Sequence, residues 1–292
     1  MKIRFGVGVG SNISTADLPA VIDRLETTGV DSIWFSELVY SPAVDPVVGM
    51  AFALSRTTRL KVGTSVAILP GRNPVLVAEQ LASLAALAPK RVLPVFGLQP
   101  ANPGERDLFP VAGPRGAVFD ESLRLLRAVL RADDVAFDGD YFTVRGARVG
   151  IRPARPLDIW LGGRSPAAFR RIGRYGDGWL GSFLTPTDAA AAVSAINAAA
   201  THAGREIEAD HFGITLLLAE DGLPPELAAT VRRQQPGADP ADLVAGSWAE
   251  LHRLIDGYLA AGLSKFVIVP AAGAPLGRFS DRFAAELLPR QN

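Results

Sequence analysis

Short apolar runs of the kind that form β-strands recur along the chain at a nearly constant spacing. The first four start roughly 30 residues apart, which is the length of one strand plus one helix. They are Ile3–Val9, Ser32–Phe35, Leu60–Ile68 and Val92–Phe96. Amphipathic segments lie between them, at Asp17–Thr28, Pro46–Arg56 and Pro74–Leu87. This alternation is typical of parallel strands that are joined by crossover helices.

The second half of the chain repeats the alternation less regularly. Its candidate strands are Asp158–Leu161, Gly178–Leu180, Phe212–Leu218 and Lys265–Val269. Its candidate helices are Pro166–Arg174, Pro186–Ala203, Trp248–Ala260 and Asp281–Leu288. The eight units predict an α/β fold, a closed (β/α)₈ TIM barrel that forms a single domain over residues 1–292. A doubly wound sheet is disfavoured, because Ser11 stands where a dinucleotide-binding fingerprint requires glycine.

Two insertions are expected, after the fourth and the seventh strand. Asp134–Pro156 contains a predicted hairpin, with the turn Asp138–Asp140 between Val135–Phe137 and Tyr141–Val144. Glu220–Gly246 is polar and contains four prolines, which predicts a long, mobile excursion after the seventh strand.

Composition and charge exclude several classes of function. The 30 basic residues balance the 30 acidic ones, which argues against non-specific electrostatic binding to nucleic acid. The chain has no cysteine, so thiolate nucleophiles and cysteine-ligated metals are excluded. No apolar run approaches the length of a membrane span, and no signal-peptide pattern follows Met1, so a cytoplasmic protein is expected.

The predicted strand ends carry few groups that could catalyse a reaction. In a TIM barrel the catalytic groups lie at the carboxyl ends of the strands. None of the three histidines falls there, so neither a histidine base nor a metal site is predicted. The strand ends offer Ser11, Asn12, Ser36, Glu37, Thr64, Ser65, Gln99, Arg164, Ser165 and Ser182. Such a set orients a ligand but leaves the catalytic residue unassigned, which favours a reaction carried by a cofactor.

Two glycine-rich segments are candidate parts of a cofactor site. Gly6, Gly8 and Gly10 alternate onto one face of the first strand, where they either leave room for a flat ring or are covered by bulky neighbours. Gly162–Ala168 joins a predicted strand to a predicted helix through two glycines, Ser165 and a proline. Backbone amides and the helix dipole at such a turn favour an anion such as a phosphate.

Several stretches, taken together and in order, resemble the luciferase-like monooxygenase family, especially its members that use the deazaflavin coenzyme F420. They are Gly29–Glu37, Arg59–Val66, Asn73–Leu84, Arg115–Gly116, Phe119–Glu121, Ile159–Gly163, Ser165–Ala168 and Tyr175–Trp179. The resemblance implies a (β/α)₈ barrel, a homodimer, and hydride transfer between coenzyme F420 and a small organic substrate. It leaves two alternatives: a two-component monooxygenase using FMN, and a non-catalytic flavin-binding protein.

The resemblance also implies roles for individual residues. The implied cofactor-binding positions are Ser36, Glu37, Thr64, Ser65, Val66, Gly163, Arg164, Ser165, Ala167 and Ala168, with a cis peptide bond between Ser65 and Val66. Arg164 is expected to supply most of the charge for the cofactor phosphate.

The presumed substrate pocket is lined by Leu38, Leu98, Ser182 and Phe183, and it predicts a neutral, fairly apolar substrate. Relatives that oxidise sugar phosphates carry a base where this chain has Leu38 and a carboxylate where it has Pro100. Oxidation of glucose 6-phosphate is therefore not expected.

Overall fold

Parallel strands and helices alternate along the chain in the computed structural model, which describes residues 2–271 and 276–292. The strands are β1 (Arg4–Val9), β2 (Ser32–Phe35), β3 (Lys61–Thr64), β4 (Ala67–Ile68), β5 (Val92–Leu93), β6 (Val95–Gly97), β7 (Val135–Asp138), β8 (Thr143–Ala147), β9 (Trp160–Gly162), β10 (Gly178–Ser182), β11 (Phe212–Leu218), β12 (Val244–Ala245) and β13 (Lys265–Pro270). The α-helices are α1 (Leu18–Thr28), α2 (Pro46–Arg56), α3 (Pro74–Leu87), α4 (Arg115–Arg131), α5 (Pro166–Tyr175), α6 (Pro186–His202), α7 (Pro225–Gln234), α8 (Trp248–Ala260) and α9 (Leu276–Leu287).

The parallel strands close into a ring. The third strand of the barrel is made of β3 and β4, and the fourth is made of β5 and β6. β3 pairs with β5, β4 pairs with β6, and β6 pairs with β9. The ring continues through β10, β11 and β13 to β1, β2 and back to β3. The predicted TIM barrel is therefore confirmed, and its first strand lies beside its last, as β1 pairs with β13.

The third and fourth strands are each interrupted where they face one another. Pro94 separates β5 from β6, since proline has no N–H to give to a ladder. Ser65 and Val66 separate β3 from β4, and the peptide bond between them is cis, which confirms the prediction. The hydroxyl of Thr64 donates to the carbonyl of Val95 at 2.6 Å and accepts from its N–H at 2.8 Å. This one side chain thereby joins the two interrupted strands.

Several helices begin with a polar capping residue followed by proline. Asp45 accepts from two backbone amides of α2, and Asn73 does the same for α3. Ser165 caps α5, and Thr185 caps α6 through a capping box. Proline suits the first helical position, because the N–H that it lacks would have no partner there. The predicted starts of these helices are confirmed to the residue.

Both insertions contain regular structure. β7 and β8 form the predicted hairpin, and the carboxylate of Glu121 on α4 fixes its turn by accepting the N–H groups of Tyr141 and Phe142 at 2.8 and 2.7 Å. The hairpin follows α4 and therefore lies at the amino end of β9. The excursion over residues 220–246 follows β11 and contains α7, a 3₁₀ turn at Pro240–Asp242 and β12.

The core has two parts. The larger part lies between the barrel and the surrounding helices and includes Phe5, Phe35 and Phe266. The smaller part lies inside the barrel and is formed mainly by Trp34, Trp160, Leu180, Val95 and Val267.

Bulky neighbours fill the space beside the glycines of β1. A Cβ at Gly6 would lie 2.5 Å from the indole nitrogen of Trp34, and one at Gly8 would lie 2.5 Å from Cγ2 of Val269. Of the two alternatives left open by the sequence, the second is therefore correct for Gly6 and Gly8.

Over residues 2–271 and 276–292, no helix is both long enough and apolar enough to cross a membrane.

Candidate functional site

The carboxyl ends of the barrel strands form a shallow mouth lined by half-buried side chains. Its hydroxyl groups belong to Ser36, Ser65, Ser182 and Thr215, which alternate onto the inner face of their strands. Its apolar wall includes Leu217 and Val269 on β11 and β13, and Val66 beside β4. The mouth therefore offers neutral hydrogen-bonding groups together with small apolar surfaces.

Glycines on the next two strands of the barrel, Gly97 on β6 and Gly162 on β9, allow Val66 to lie across one side of the mouth. A Cβ at Gly97 would lie 2.6 Å from Cγ2 of Val66, and one at Gly162 would lie 3.0 Å from its Cγ1. Any larger residue at Gly97 would therefore displace Val66. The three residues together form a low, apolar floor that a flat ring system can cover.

Two of the predicted serines lie next to each other at this floor. The hydroxyl oxygens of Ser36 and Ser65 are 3.4 Å apart, and the N–H of Ser65 donates to the carbonyl of Phe35 at 2.9 Å. Both side chains are half-buried, so their hydroxyls remain accessible from the mouth. Thr64, by contrast, is only 2% exposed, and its hydroxyl is engaged between the two strands.

Glu37 lies at the predicted strand end, but its carboxylate is not free. Only 3% of the side chain is exposed, and it forms an ion pair with Arg72 while accepting the N–H of Ile68 at 2.7 Å. Burial raises the pKa of Glu37 above its ordinary value, although Arg72 and the amide of Ile68 oppose the shift. The contacts make Glu37 an anchor for the segment that follows β4.

The turn between β9 and α5 has the geometry of an anion site. Gly163 has a φ of 127°, a conformation that favours glycine, and its carbonyl accepts the indole N–H of Trp179 at 2.9 Å. Ser165 accepts the N–H of Ala168 at 3.2 Å and so caps α5. Gly163, Ser165 and Ala167 are exposed, so the first amides of α5 are accessible to a ligand.

Arg164 extends from this turn toward the excursion after β11. Its guanidinium donates to the backbone carbonyl of Gln234 and, at 3.0 Å, to the side-chain oxygen of the same residue. It also lies 6.0 Å from the centre of the Phe183 ring, and burial lowers its pKa. In this structure Arg164 therefore binds the C-terminal end of α7, and a phosphate would have to compete for it.

The expected substrate-pocket residues lie around the mouth in different environments. Leu38, Leu98 and Ser182 are half-buried. Phe183 has a positive φ of 54° directly after β10 and packs in a small cluster with residues of the excursion. Leu184, the next residue along the chain, is only 6% exposed.

Thr215 also lies at the mouth; it was not among the expected residues, although the sequence carries a signal for it. Gly213, Thr215 and Leu217 alternate along β11, and the alternation places all three on the inner face of the barrel. The histidines lie elsewhere: His211 precedes β11, and its ring centre lies 5.3 Å from that of Trp160 with the ring planes tilted by 44°. His211 also lies within 4.8 Å of carboxylate oxygens of Glu208 and Asp210, at the end of the barrel opposite the mouth. The expectation of no metal stays a prediction.

Comparisons with known proteins extend over the whole chain. An F420-dependent glucose-6-phosphate dehydrogenase of Kineococcus radiotolerans is 26% identical and matches 91% of this chain and 90% of its own length. The solved structure of an F420-dependent secondary alcohol dehydrogenase, bound to an F420-acetone adduct, superposes over the full chains with a TM-score of 0.86 at 18% identity. The FMN-bound oxygenating constituent of 3,6-diketocamphane monooxygenase from Pseudomonas putida gives a TM-score of 0.80 at 16% identity.

The two structural likenesses establish the barrel fold alone, because sequence identities of 18% and 16% are too low to show more. Family membership rests on the sequence itself. The model of the luciferase-like monooxygenase family matches residues 1–235, which include β1 to β11, most of the mouth and the turn before α5. The chain belongs to the luciferase-like monooxygenase family.

Proposed function

We propose that the chain is an oxidoreductase that transfers hydride between coenzyme F420 and a small, fairly apolar organic substrate. The observation that carries the proposal is the chemistry of the mouth. Four neutral hydroxyl groups and an apolar floor lie there, and Glu37, the acid at the strand end, is buried in an ion pair. Groups of this kind position reactants and leave the redox step to a bound cofactor.

The residues around the mouth fit such a cofactor at both of its ends. The accessible amides at Gly163, Ser165 and Ala167 suit its phosphate. The floor formed by Val66, with Gly97 on β6 and Gly162 on β9 beside it, suits its ring. When bound, coenzyme F420 would supply a ring carbon that accepts or donates hydride.

The side chains of the mouth would then orient and shield the reactants. Ser36 and Ser65, with hydroxyl oxygens 3.4 Å apart, would donate hydrogen bonds to polar atoms at the edge of the ring. Ser182 and Thr215 would bind a polar atom of the substrate from the opposite wall. Leu217 and Val269 would keep water away from the reacting carbon.

FMN is the alternative cofactor, since the protein from Pseudomonas putida carries it on the same fold. A two-component monooxygenase would use reduced FMN with oxygen. A non-catalytic flavin-binding protein would hold the ring in the same mouth without turnover. The compact chain and its resemblance to F420-dependent enzymes favour the deazaflavin.

Side-by-side titration of the two coenzymes tests this choice. We expect coenzyme F420 to bind more tightly than FMN, measured by the change in coenzyme fluorescence on adding the protein. Consumption of F420 with panels of alcohols, enones, imines and aldehydes then separates an enzyme from a binding protein. Equal or tighter binding of FMN would contradict the proposal.

The alkyl side chains at the mouth disfavour a sugar phosphate as the substrate. Leu38 and Leu98 present alkyl groups at the mouth and cannot take a proton from a sugar hydroxyl. We therefore expect no more than background reduction of F420 with glucose 6-phosphate, although the Kineococcus radiotolerans relative is named for that activity. Rapid F420 reduction, followed by absorbance with that relative as the positive control, would contradict the expectation.

We also propose that the chain forms a homodimer through α2 and α3. These helices follow consecutive strands, so they are neighbours outside the barrel. They expose Val48, Phe52, Leu76 and Leu87, of which Leu87 is 83% exposed. Helix α3 is apolar on nearly all sides, which is typical of a helix covered on both faces. Sedimentation equilibrium should give twice the chain mass, and Leu76→Lys together with Phe52→Lys should give the monomer.

A further inference from the structure

A second cleft lies at the opposite end of the barrel, where β1 and β3 begin. Its volume is about 350 Å³, and its wall includes the side chains of Arg4, Arg59 and Lys61 beside the C-terminal end of α1. We call it the floor cleft; it is distinct from the apolar floor of the mouth that Val66, Gly97 and Gly162 form. Because it lies at the amino ends of the strands, it is separated from the mouth by the full height of the barrel core.

One buried carboxylate of the floor cleft faces three cations. Asp31 has carboxylate oxygens 2.8 Å from Nζ of Lys61, 3.2 Å from Nζ of Lys265 and 3.5 Å from Nε of Arg4. Only 6% of the Asp31 side chain and 9% of the Lys265 side chain are exposed. One carboxylate is therefore the shared ion-pair partner of three cations, in a region that is largely shielded from water.

The other acid in the wall, Glu26, is already engaged. Its carboxylate accepts the backbone N–H groups of Thr58, Arg59 and Leu60 at 2.9, 3.0 and 2.8 Å. Although burial opposes the shift, these hydrogen bonds lower the pKa of Glu26 to about 2. Its nearest cation is Arg59, whose Nε lies 3.7 Å away. Glu26 therefore offers little neutralisation to the cations around Asp31.

The local charge differs from that of the chain as a whole. The chain has 30 basic and 30 acidic residues and no net charge. Around the floor cleft, four cations (Arg4, Arg59, Lys61 and Lys265) meet two acids (Asp31 and Glu26). These side chains carry an excess of two positive charges. Arg4, Arg59 and Lys61 line the open cleft, where an anion can reach them, whereas Lys265 is buried and does not line it.

Burial makes this excess costly. The ammonium group of Lys265 lies inside the barrel, 6.0 Å from the centre of the Trp34 ring. Burial lowers the pKa of Lys265, and the charges of Lys61 and Arg4 act in the same direction, although Asp31 opposes them. An anion held beside these cations would offset the repulsion between them.

We propose that the floor cleft binds a dianion of the phosphate class, held by Arg4, Arg59 and Lys61. A doubly charged ion matches the excess charge. Its tetrahedral oxygens suit two guanidinium forks and one ammonium group, which approach it from different elements. The volume of the cleft accepts inorganic phosphate or the phosphate group of a small ester.

Calorimetric titration of the full chain with inorganic phosphate, at constant ionic strength and against chloride, tests the proposal. Glycerol 3-phosphate in a parallel titration separates free phosphate from a phosphate ester, and binding of either one supports the site. The variant Arg59→Gln with Lys61→Gln should bind the anion at least about tenfold more weakly, because two charge-assisted contacts are lost.

Two controls locate the effect. Arg145→Gln removes one exposed charge from the hairpin and should leave phosphate binding unchanged. Ala167→Glu alters the turn at the mouth and should leave binding at the floor cleft intact, so this test is independent of the proposed cofactor. Thermal unfolding of each variant checks the fold. Absence of phosphate-specific heat in the wild type, or equal affinity in the floor-cleft double variant, would overturn the proposal.

Discussion

Replacing Ala167 with glutamate is expected to weaken binding of coenzyme F420 by roughly 10- to 100-fold, because it sets a negative charge beside the cofactor phosphate. Ala167 is exposed at the second position of α5, next to the amides that we propose for the phosphate. Two unit charges about 4 Å apart repel by about 1 kcal/mol in water and about 4 kcal/mol near a protein surface, which brackets this loss.

The same substitution should not weaken the fold. A carboxylate in the first turn of a helix interacts favourably with the helix dipole, by about 0.3 to 1 kcal/mol. The melting temperature of Ala167→Glu should therefore stay at or above that of the wild type. Weaker cofactor binding would then arise from repulsion and not from unfolding.

Ala167→Gln is the matched control, because glutamine has the length of glutamate without its charge. It should bind the coenzyme within a few-fold of the wild type in the same fluorescence titration. Equal losses in the two variants would indicate crowding at the turn. Unchanged coenzyme binding in Ala167→Glu would show that the cofactor phosphate does not bind at this turn.

The barrel was predictable because its signals are local. Strand and helix periodicity gave the order of the elements, and the pairs Asp45–Pro46, Asn73–Pro74, Ser165–Pro166 and Thr185–Pro186 marked helix starts. No helix was expected over the ranges of α4 and α7. Both begin after a proline at the capping position, Pro114 and Pro224, with no side-chain cap. The start signal used elsewhere was therefore missing.

The site was harder to predict, because its contacts join distant parts of the chain. The alternation of β2 places Ser36 correctly, but nothing near Glu37 shows that Arg72, 35 residues later, would neutralise it. Arg164 likewise meets Gln234, 70 residues away, at the end of a helix that the sequence did not reveal. The positions of the strand ends follow from local patterns, whereas the partners of the charges depend on packing.

The opposite end of the barrel carries the largest expected effect on stability. Replacing Asp177 with alanine is expected to lower the free energy of unfolding by about 3 to 5 kcal/mol, as for other ion pairs that lose one buried partner. Asp177 lies directly before β10, at the amino end of that strand. Urea denaturation of both proteins measures the difference.

The size of the effect follows from the number of contacts. Asp177 accepts from Arg127 at 2.6 and 2.8 Å, from Arg205 at 2.9 Å and from the N–H of Ile159 at 2.9 Å. The side chains of Arg127 and Arg205 are 13% and 26% exposed, so alanine would leave two largely buried cations without their carboxylate partner. Asp138→Ala, which removes an exposed partner of Arg145, is the control and should cost at most about 1 kcal/mol.

The pH dependence of stability distinguishes the contribution of the Asp177 ion pairs from that of side-chain packing. Burial alone would raise the pKa of Asp177, but Arg127, Arg205 and the amide of Ile159 bring it below its ordinary value. A carboxyl group whose pKa is lowered by folding stabilises the protein fully above its unfolded pKa of about 3.9, and the contribution is lost as the pH falls through the folded pKa. The stability difference between wild type and Asp177→Ala should therefore be constant near neutral pH and shrink below about pH 4. A stability difference that persists unchanged in acid would assign the loss to the cavity left by the side chain. Coenzyme affinity should be the same in both proteins at neutral pH, because the mouth lies at the other end of the strands.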